Sequence, residues 1–98
     1  MKPYKCKEFN KYGIVRLPCK WRRQFDFTPG KLVDLVYKKE SIIVKKHNPK
    51  STDNSRIVSG EGTISIPAEL KRLLSLTPDD EICIYIDKDN ECFILKPL

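Results

Sequence analysis

The sequence predicts a mostly β domain made of two similar units, each with the order strand, strand, short helix, strand, strand. Short runs of alternating apolar and polar residues recur along the chain and are bounded by turn residues. The motif at 13–27 returns at 62–76, with a constant offset of 49 residues. With 98 residues, the chain can bury one compact core but is short for two independent domains.

Two short strands are predicted to open the first unit. Alternation of apolar and basic residues within 1–11 favours an edge strand, and Gly13 favours a turn after it. Residues 14–17 alternate again, so Val15 and Leu17 are expected on the same face. In the second unit, strands are expected at 56–58 and 63–66.

A proline is expected to start the helix of each unit. The missing N–H of Pro18 would have no partner at a first helical position, and proline holds the preceding residue extended. This predicts a helix over 18–24, with Trp21 and Phe25 on its inward face. The matching helix is predicted over 67–74, with Leu70, Leu73 and Leu74 inward.

Each unit is predicted to end in a β-hairpin, because a proline-containing turn precedes two β-rich runs joined by polar residues. The hairpin strands are expected at 32–37, 42–44, 81–86 and 92–95. The polar stretch 47–55 has no periodicity and is interpreted as a linker in which His47 is solvated.

We therefore predict one compact domain at 1–98, with repeat 1 at 1–46, a linker at 47–55 and repeat 2 at 56–98. A unit of about 40 residues has too little core to fold alone. The two units are expected to pack around a pseudo-twofold axis, so that one chain reproduces a homodimer.

Charge distinguishes the two halves. Residues 1–49 contain 13 Lys and Arg against 4 Asp and Glu, a net charge of +9, whereas residues 50–98 contain 6 against 9, a net charge of −3. The whole chain carries +6, which favours an anionic partner. Acidic residues of the second half could meet a basic protein; they are Asp79, Asp80, Glu81, Asp87, Asp89 and Glu91.

Several classes of protein are not expected. No apolar run approaches the length of a membrane span, and the N-terminus lacks the apolar core of a signal peptide, so we expect no membrane and a cytoplasmic protein. The four cysteines match no common zinc spacing and are expected to be free thiols, with no metal or other cofactor. With one histidine and no phosphate-binding loop or nucleophile elbow, no catalytic residues and no enzyme are expected.

The repeated motif resembles the AbrB/SpoVT/MazE group of swapped-hairpin DNA-binding proteins. The shared pattern is glycine, alternating strand, proline, then a basic pair in a short helix, and Gly62 to Arg72 carries it most regularly. The resemblance implies a mostly β, AbrB-like barrel in which the two repeats exchange hairpins around a pseudo-twofold axis. It also implies DNA contacts near the first strand and at the helix end, which here are Lys7, Arg22, Arg23, Arg56, Lys71 and Arg72.

Basic residues cluster in the first unit independently of the resemblance. Lys and Arg gain affinity for a duplex by releasing its condensed counterions, and arginine adds bidentate geometry toward phosphate or guanine. Trp21 matches Leu70 and is expected in the core rather than as a base-stacking platform. The candidate DNA-binding residues are Lys5, Lys7, Lys11, Arg16, Lys20, Arg22, Arg23, Arg56, Lys71 and Arg72.

The function that these observations favour is sequence-specific duplex DNA binding by a transcriptional regulator of the AbrB type, mainly through the basic face of repeat 1. One alternative is a protein-binding inhibitor or antirepressor on the same fold. Another is an antitoxin, although only three residues follow the last predicted strand, so the usual toxin-wrapping tail is not expected. Two copies could also pair as a dimer of pseudo-dimers.

Overall fold

The computed structural model describes residues 2–98, and it confirms that the fold is mostly β. Met1, the first residue of the predicted repeat 1, lies outside the described residues. Eight strands and two short helices follow each other in an order that is the same in each half. They are β1 (Lys5–Glu8), β2 (Ile14–Arg16), α1 (Cys19–Gln24), β3 (Leu32–Lys38), β4 (Ser41–Lys46), β5 (Asn54–Ile57), β6 (Thr63–Ser65), α2 (Ala68–Leu73), β7 (Glu81–Asp87) and β8 (Cys92–Pro97).

Six strands form one antiparallel sheet in the order β1-β7-β8-β4-β3-β5. The two hairpins, β3–β4 and β7–β8, meet at the centre through β4 and β8. Each edge strand pairs with the hairpin from the other half of the chain: β1 pairs with β7, and β5 pairs with β3. The halves are therefore joined at both edges and at the centre of the sheet.

The remaining two strands, β2 and β6, form a short antiparallel ladder in which Val15 lies opposite Ile64. Both side chains are buried against the core, as the alternation predicts. Aromatic rings from both units meet in this core, where Phe25 and Phe93 have centroids 5.5 Å apart and Trp21 and Phe25 have centroids 5.8 Å apart. Burying rings of this size is the largest apolar contribution that single side chains make to the core.

Both helices end in the same way. Asp26, just beyond α1, has a φ of 63°, and the matching Ser75, just beyond α2, has a φ of 53°. After α1 the Asp26 N–H donates to the Arg23 carbonyl at 3.3 Å, and the Phe27 N–H donates to the Arg22 carbonyl at 2.7 Å. This pair of bonds is the Schellman arrangement, which satisfies the last helical carbonyls and stops the helix after about two turns.

Two features of the second unit differ from the prediction. Leu73 is 52% exposed rather than inward, and only Leu70 of this helix is fully buried. Gln24, the residue of α1 that matches Leu73, is exposed as well, so this face of the short helix is directed to solvent in both units. Strand β5 begins at Asn54, inside the predicted linker, because its pairing with β3 extends to Leu35.

The expectation of four free thiols is wrong. Cys6 and Cys83 lie directly opposite each other on β1 and β7 and form a disulfide, with their Cα atoms 4.0 Å apart. Directly opposed side chains of an antiparallel pair are close enough to bond, but the opposition depends on a pairing between residues 77 positions apart in sequence. Cys19 is a free exposed thiol and Cys92 a free buried one.

The expectation that His47 is a solvated linker residue is also wrong. Its Nδ1 lies 2.8 Å from Oδ1 of Asp34, which is fully buried in β3. The Asn48 N–H donates to the other carboxylate oxygen at 2.9 Å, and the Ser55 hydroxyl donates to Oδ1 at 2.8 Å. The segment that joins the halves is thus tied to the sheet by a buried carboxylate, which needs these partners to be stable there.

Candidate nucleic-acid interface

Four predicted DNA-binding residues come together around one cavity of about 440 Å³, here called the basic groove and defined by Lys5, Lys7, Arg16 and Arg22. Three elements supply these cations. Lys5 and Lys7 come from β1, Arg16 from β2 and Arg22 from α1. Its remaining wall is formed by Tyr4, Leu17, Pro18 and Cys19.

Positive charge in the basic groove is not balanced by acidic side chains. Among residues 2–98, the ion pairs are Lys31 with Asp26 and His47 with Asp34, so none of the four groove cations is paired. Partial burial, followed by repulsion from Lys5 and then Arg16, lowers the pKa of the Lys7 ammonium below its usual value of 10.5. A bound anion would relieve that repulsion.

Arg22 is held in place by the backbone around it. Its Nε–H donates to the Leu17 carbonyl at 2.7 Å. Its guanidinium also covers Gly62, where an added Cβ would overlap it. The matching residue, Lys71, lies in the same way over Gly13, with Nζ 3.0 Å from where a Cβ would stand. Each helix therefore places one cation over the turn glycine of the other unit.

Three more predicted residues line a different cavity, of about 480 Å³, which we call the mixed groove and define by Lys11, Lys71 and Arg72. Its walls are more apolar than those of the basic groove, and they include Phe9, Ala68, Leu76 and Pro78. The predicted site is thus divided between two grooves rather than gathered in one.

The other three predicted residues lie outside both grooves. Lys20 places its ammonium 5.0 Å from the centroid of the Trp21 ring, a cation–π contact that it shares with Lys88. Arg23 is exposed near the end of α1. Arg56 is half-buried on the edge strand β5, where its Nη1 donates to the Ser55 carbonyl at 2.8 Å.

The position in the second unit that matches the basic groove has fewer cations. With the offset of 49, Lys5, Lys7, Arg16 and Arg22 correspond to Asn54, Arg56, Ser65 and Lys71. Tyr4 corresponds to Asp53, which adds a negative charge. The same backbone frame therefore carries four cations on one side, but two cations and a carboxylate on the other.

The acidic residues of the second half do not form a single surface. One group precedes or starts β7, at 79–81, and the other lies at the hairpin tip, at 87–91. Asp87 lies six positions after Glu81 along β7, which corresponds to about 20 Å. Hydrogen bonds from Asn90 lower the pKa of the Asp87 carboxyl, and those from Thr77 lower that of Asp80.

Among the described residues, Ser55, His47 and Asp34 lie together but lack the geometry of a nucleophilic triad. The Ser55 Oγ lies 3.3 Å from Nδ1 of His47, and Asp34 Oδ1 lies 2.8 Å from the same nitrogen. A triad requires serine and aspartate on opposite ring nitrogens. Within residues 2–98 no cluster of three metal-ligating side chains is found.

Two residues of the site carry no signal in the sequence. Tyr4 and Cys19 line the basic groove, yet no motif marks either of them. They belong to the site because β1 lies beside the start of α1, which only the tertiary arrangement shows.

In the described part of the chain, neither helix has the length or apolar composition that crossing a membrane requires.

The fold and its repeated motif can be compared with known proteins. Residues 11–52 match a family model that is described as 'antidote-toxin recognition MazE, bacterial antitoxin'. These residues run from the turn before β2 to just beyond β4, and so include α1 and the first hairpin. Proteins of this family are regulatory rather than enzymatic. Among curated proteins, no sequence matches the chain.

The fold also matches a solved structure. The solution structure of PHS018 from Pyrococcus horikoshii aligns with a TM-score of 0.53 over 100% of this chain and 92% of that one. The two sequences are 17% identical, so the match concerns the fold. With a family match in the first unit and a fold match along the whole chain, the resemblance to the AbrB/MazE-like family is confirmed.

Proposed function

We propose that this chain is a sequence-specific, duplex DNA-binding transcriptional regulator that acts in the cytoplasm and contacts DNA mainly through the basic groove. The observation that carries the proposal is the set of four cations around one cavity with no carboxylate partner. An arrangement of this kind is costly without an anion nearby, and a duplex backbone supplies closely spaced phosphates.

The positions of the four cations support a division of roles. Arg22 is already fixed by its bond to the Leu17 carbonyl, so little side-chain freedom is lost when it meets a phosphate. Arg16 donates from Nε to the Glu61 carbonyl at 3.1 Å and is otherwise exposed. Its free guanidinium edge suits it to reach a base or a second phosphate.

The test is binding to a random-sequence duplex across a range of salt concentrations. Four phosphate contacts predict a slope of log affinity against log salt of about −4. The variant Lys5→Gln/Lys7→Gln is expected to reduce the steepness of that slope by about 2. Selection of bound sequences from the same pool then reports whether the binding is sequence-specific.

A matched control removes the same charge elsewhere. Lys38 and Lys39 lie exposed at the tip of the β3–β4 hairpin, outside both grooves. The variant Lys38→Gln/Lys39→Gln is expected to leave the slope unchanged within about 0.5. Equal slopes for the two double variants, or no binding at low salt, would show that the basic groove is not the DNA site.

A second candidate function is recognition of a protein partner, as an antitoxin, inhibitor or antirepressor. It is favoured by the description of the matching family model, which concerns antidote–toxin recognition. The two acidic groups of the second half are the surfaces that a basic partner would meet. Either group alone is small, so such a partner would contact neighbouring polar surface as well.

Charge reversal in the basic groove separates the two functions. In cells, Arg16→Glu should abolish regulation that depends on DNA, while leaving capture of a protein partner intact. The reverse pattern is expected for Asp89→Lys/Glu91→Lys at the acidic hairpin tip. Sedimentation with and without duplex would show whether two copies pair to present two basic grooves to one DNA molecule.

A further inference from the structure

The disulfide joins the strand that carries half of the basic groove to the rest of the sheet. Cys6 lies between Lys5 and Lys7 on β1, and both lysines line the groove. Its partner, Cys83, lies on β7 of the second half and is almost completely buried. The disulfide-bonded Cys6 is therefore flanked in sequence by two residues that are proposed to contact DNA.

Strand β1 has few other attachments. It lies at the edge of the sheet and pairs only with β7, over the four residue pairs from Lys5–Ile84 to Glu8–Glu81. On either side of it, the Tyr4 N–H donates to the Ile84 carbonyl at 2.7 Å, and the Phe9 N–H donates to the Asp80 carbonyl at 2.7 Å. Because Phe9 is buried, the strand is anchored at one end even without the disulfide.

At the matching position on the other edge of the sheet, a hydrogen bond takes the place of the disulfide. Ser55 of β5 and Asp34 of β3 correspond to Cys6 and Cys83, and their side chains are joined by a hydrogen bond of 2.8 Å. His47 and the Asn48 N–H complete that connection. Both edge strands are thus secured by a side-chain pair at the same position, and only the first-unit pair can be broken by reduction.

We propose that reversible reduction of the Cys6–Cys83 disulfide is a redox switch that lowers the affinity of the basic groove for duplex DNA. The proposal rests on the proposed function, and it assigns a regulatory role to that same site. The oxidised form holds Lys5 and Lys7 in register beside Arg16, whereas reduction leaves β1 to fray from its exposed end. Persistent disulfides are rare in reducing compartments, and those that do form there are commonly redox-sensing.

The chemistry is thiol–disulfide exchange with a dithiol reductant. A thiolate of the reductant attacks Sγ of Cys6, the more exposed of the two cysteines, and forms a mixed disulfide as the S–S bond to Cys83 breaks. The Cys83 thiolate leaves and takes up a proton. The second thiol of the reductant then attacks the mixed disulfide and releases Cys6 as a thiol, so two electrons and two protons pass to the protein.

The experiment uses the full chain in the background Cys19→Ser/Cys92→Ala, which removes the two free thiols and retains the disulfide. The probes are a random-sequence duplex and dithiothreitol. Reduction is expected to increase amide hydrogen exchange at Tyr4 and in β1 by at least about tenfold. It should also weaken duplex binding by about tenfold, and reoxidation should restore both values. In the same background, Cys6→Ser/Cys83→Ala should resemble the reduced form and not respond to dithiothreitol.

Each other outcome counts against the proposal. Four titratable thiols in the wild-type chain after oxidation would show that the disulfide does not form. Unchanged exchange in β1 on reduction would show that the bond does not hold the strand. Changed exchange with unchanged duplex affinity would overturn the regulatory role while leaving DNA binding intact. An oxidised form that binds no duplex would overturn the proposed function, and with it this switch, whatever the exchange shows.

Discussion

The two edges of the six-stranded sheet share one backbone arrangement but are held by different chemistry. At the first edge, Cys6 of β1 is bonded covalently to Cys83 of β7. At the second edge, Ser55 of β5 is hydrogen-bonded to Asp34 of β3, with His47 as a further partner. The residue pairing is the same at both, because the registers Cys6–Cys83 and Ser55–Asp34 are related by the offset of 49.

The strand pairing is thus the same at both edges, while the side chains at matching positions take on separate tasks. The first edge adjoins the basic groove, with four unpaired cations. The second edge instead secures the segment that joins the two halves, through the bond from the Asn48 N–H to the Asp34 carboxylate. Substitutions at matching positions should therefore have unequal effects at the two edges.

Removing the buried carboxylate is expected to cost the most stability. Asp34→Ala leaves the Ser55 hydroxyl and the Asn48 N–H without their partner, which should lower the free energy of unfolding by about 3 kcal/mol. Urea denaturation measures this value. Asp89→Ala, at the exposed hairpin tip, should stay within about 0.5 kcal/mol of the wild type. A loss below 1 kcal/mol for Asp34→Ala would show that the second edge does not depend on this network.

The two turn glycines should respond unequally to a methyl group. Both have positive φ, +69° at Gly13 and +79° at Gly62, so alanine is strained at either position by about 1 kcal/mol. At Gly62 the Cβ would also displace the Arg22 guanidinium, whereas at Gly13 it meets the flexible end of Lys71. We expect thermal denaturation to show a loss of about 2 kcal/mol for Gly62→Ala and about 1 kcal/mol for Gly13→Ala. Equal losses would contradict this asymmetry.

Acid should weaken the second edge by a smaller amount than Asp34→Ala does, because a protonated carboxyl can still hydrogen-bond. Burial raises the pKa of the Asp34 carboxyl, but bonds from His47, Asn48 and Ser55 outweigh it and hold the pKa below 3.8. A lowered folded-state pKa adds stability above the unfolded value and loses it as pH falls through the folded value. The stability difference between wild type and Asp34→Asn should therefore shrink as pH falls below about 3.8. A stability difference that stays constant from pH 6 to pH 2 would contradict this role of the Asp34 carboxylate.

The smallest effect is expected from single matched cations. Lys7 in the basic groove corresponds to Arg56 on β5. Lys7→Gln should make the salt slope of duplex binding shallower by about 1, whereas Arg56→Gln should change it by less than about 0.3. Titrations at several salt concentrations measure both slopes. Equal changes would indicate that the two edges contribute equally to duplex binding and would contradict this prediction.

Local sequence pattern predicted the elements well. The turn glycines, the proline at each helix start and the alternation around Val15 and Ile64 are short-range signals, and the strands and helices lie within a few residues of the predicted bounds. The inward position of Trp21 followed from its match to Leu70, and both side chains are buried. Such features depend on residues that are close together in the chain, so they can be predicted without knowledge of the tertiary structure.

Features that depend on pairing between distant residues could not be predicted in this way. Nothing near Cys6 indicates that Cys83 will lie opposite it, because that opposition arises from the pairing of the first edge strand with the second hairpin. The polar stretch around His47 predicts a solvated side chain, because nothing in it indicates the partner Asp34, which is 13 residues away in β3. The candidate cations were found from the sequence, but their division between two grooves was not, since it depends on where β1 lies beside α1.

The residues alone predict the repeated order of elements, the mostly β class and the concentration of positive charge in the first half. These follow from periodicity, backbone preferences and composition, which act locally. The three-dimensional fold brings Cys6 to Cys83 and buries Asp34 beside His47. It also places four cations around one cavity, namely Lys5, Lys7, Arg16 and Arg22. The physical reason is that each of these contacts requires strands from separate parts of the chain to be in register, and that register is fixed by packing the whole core at once.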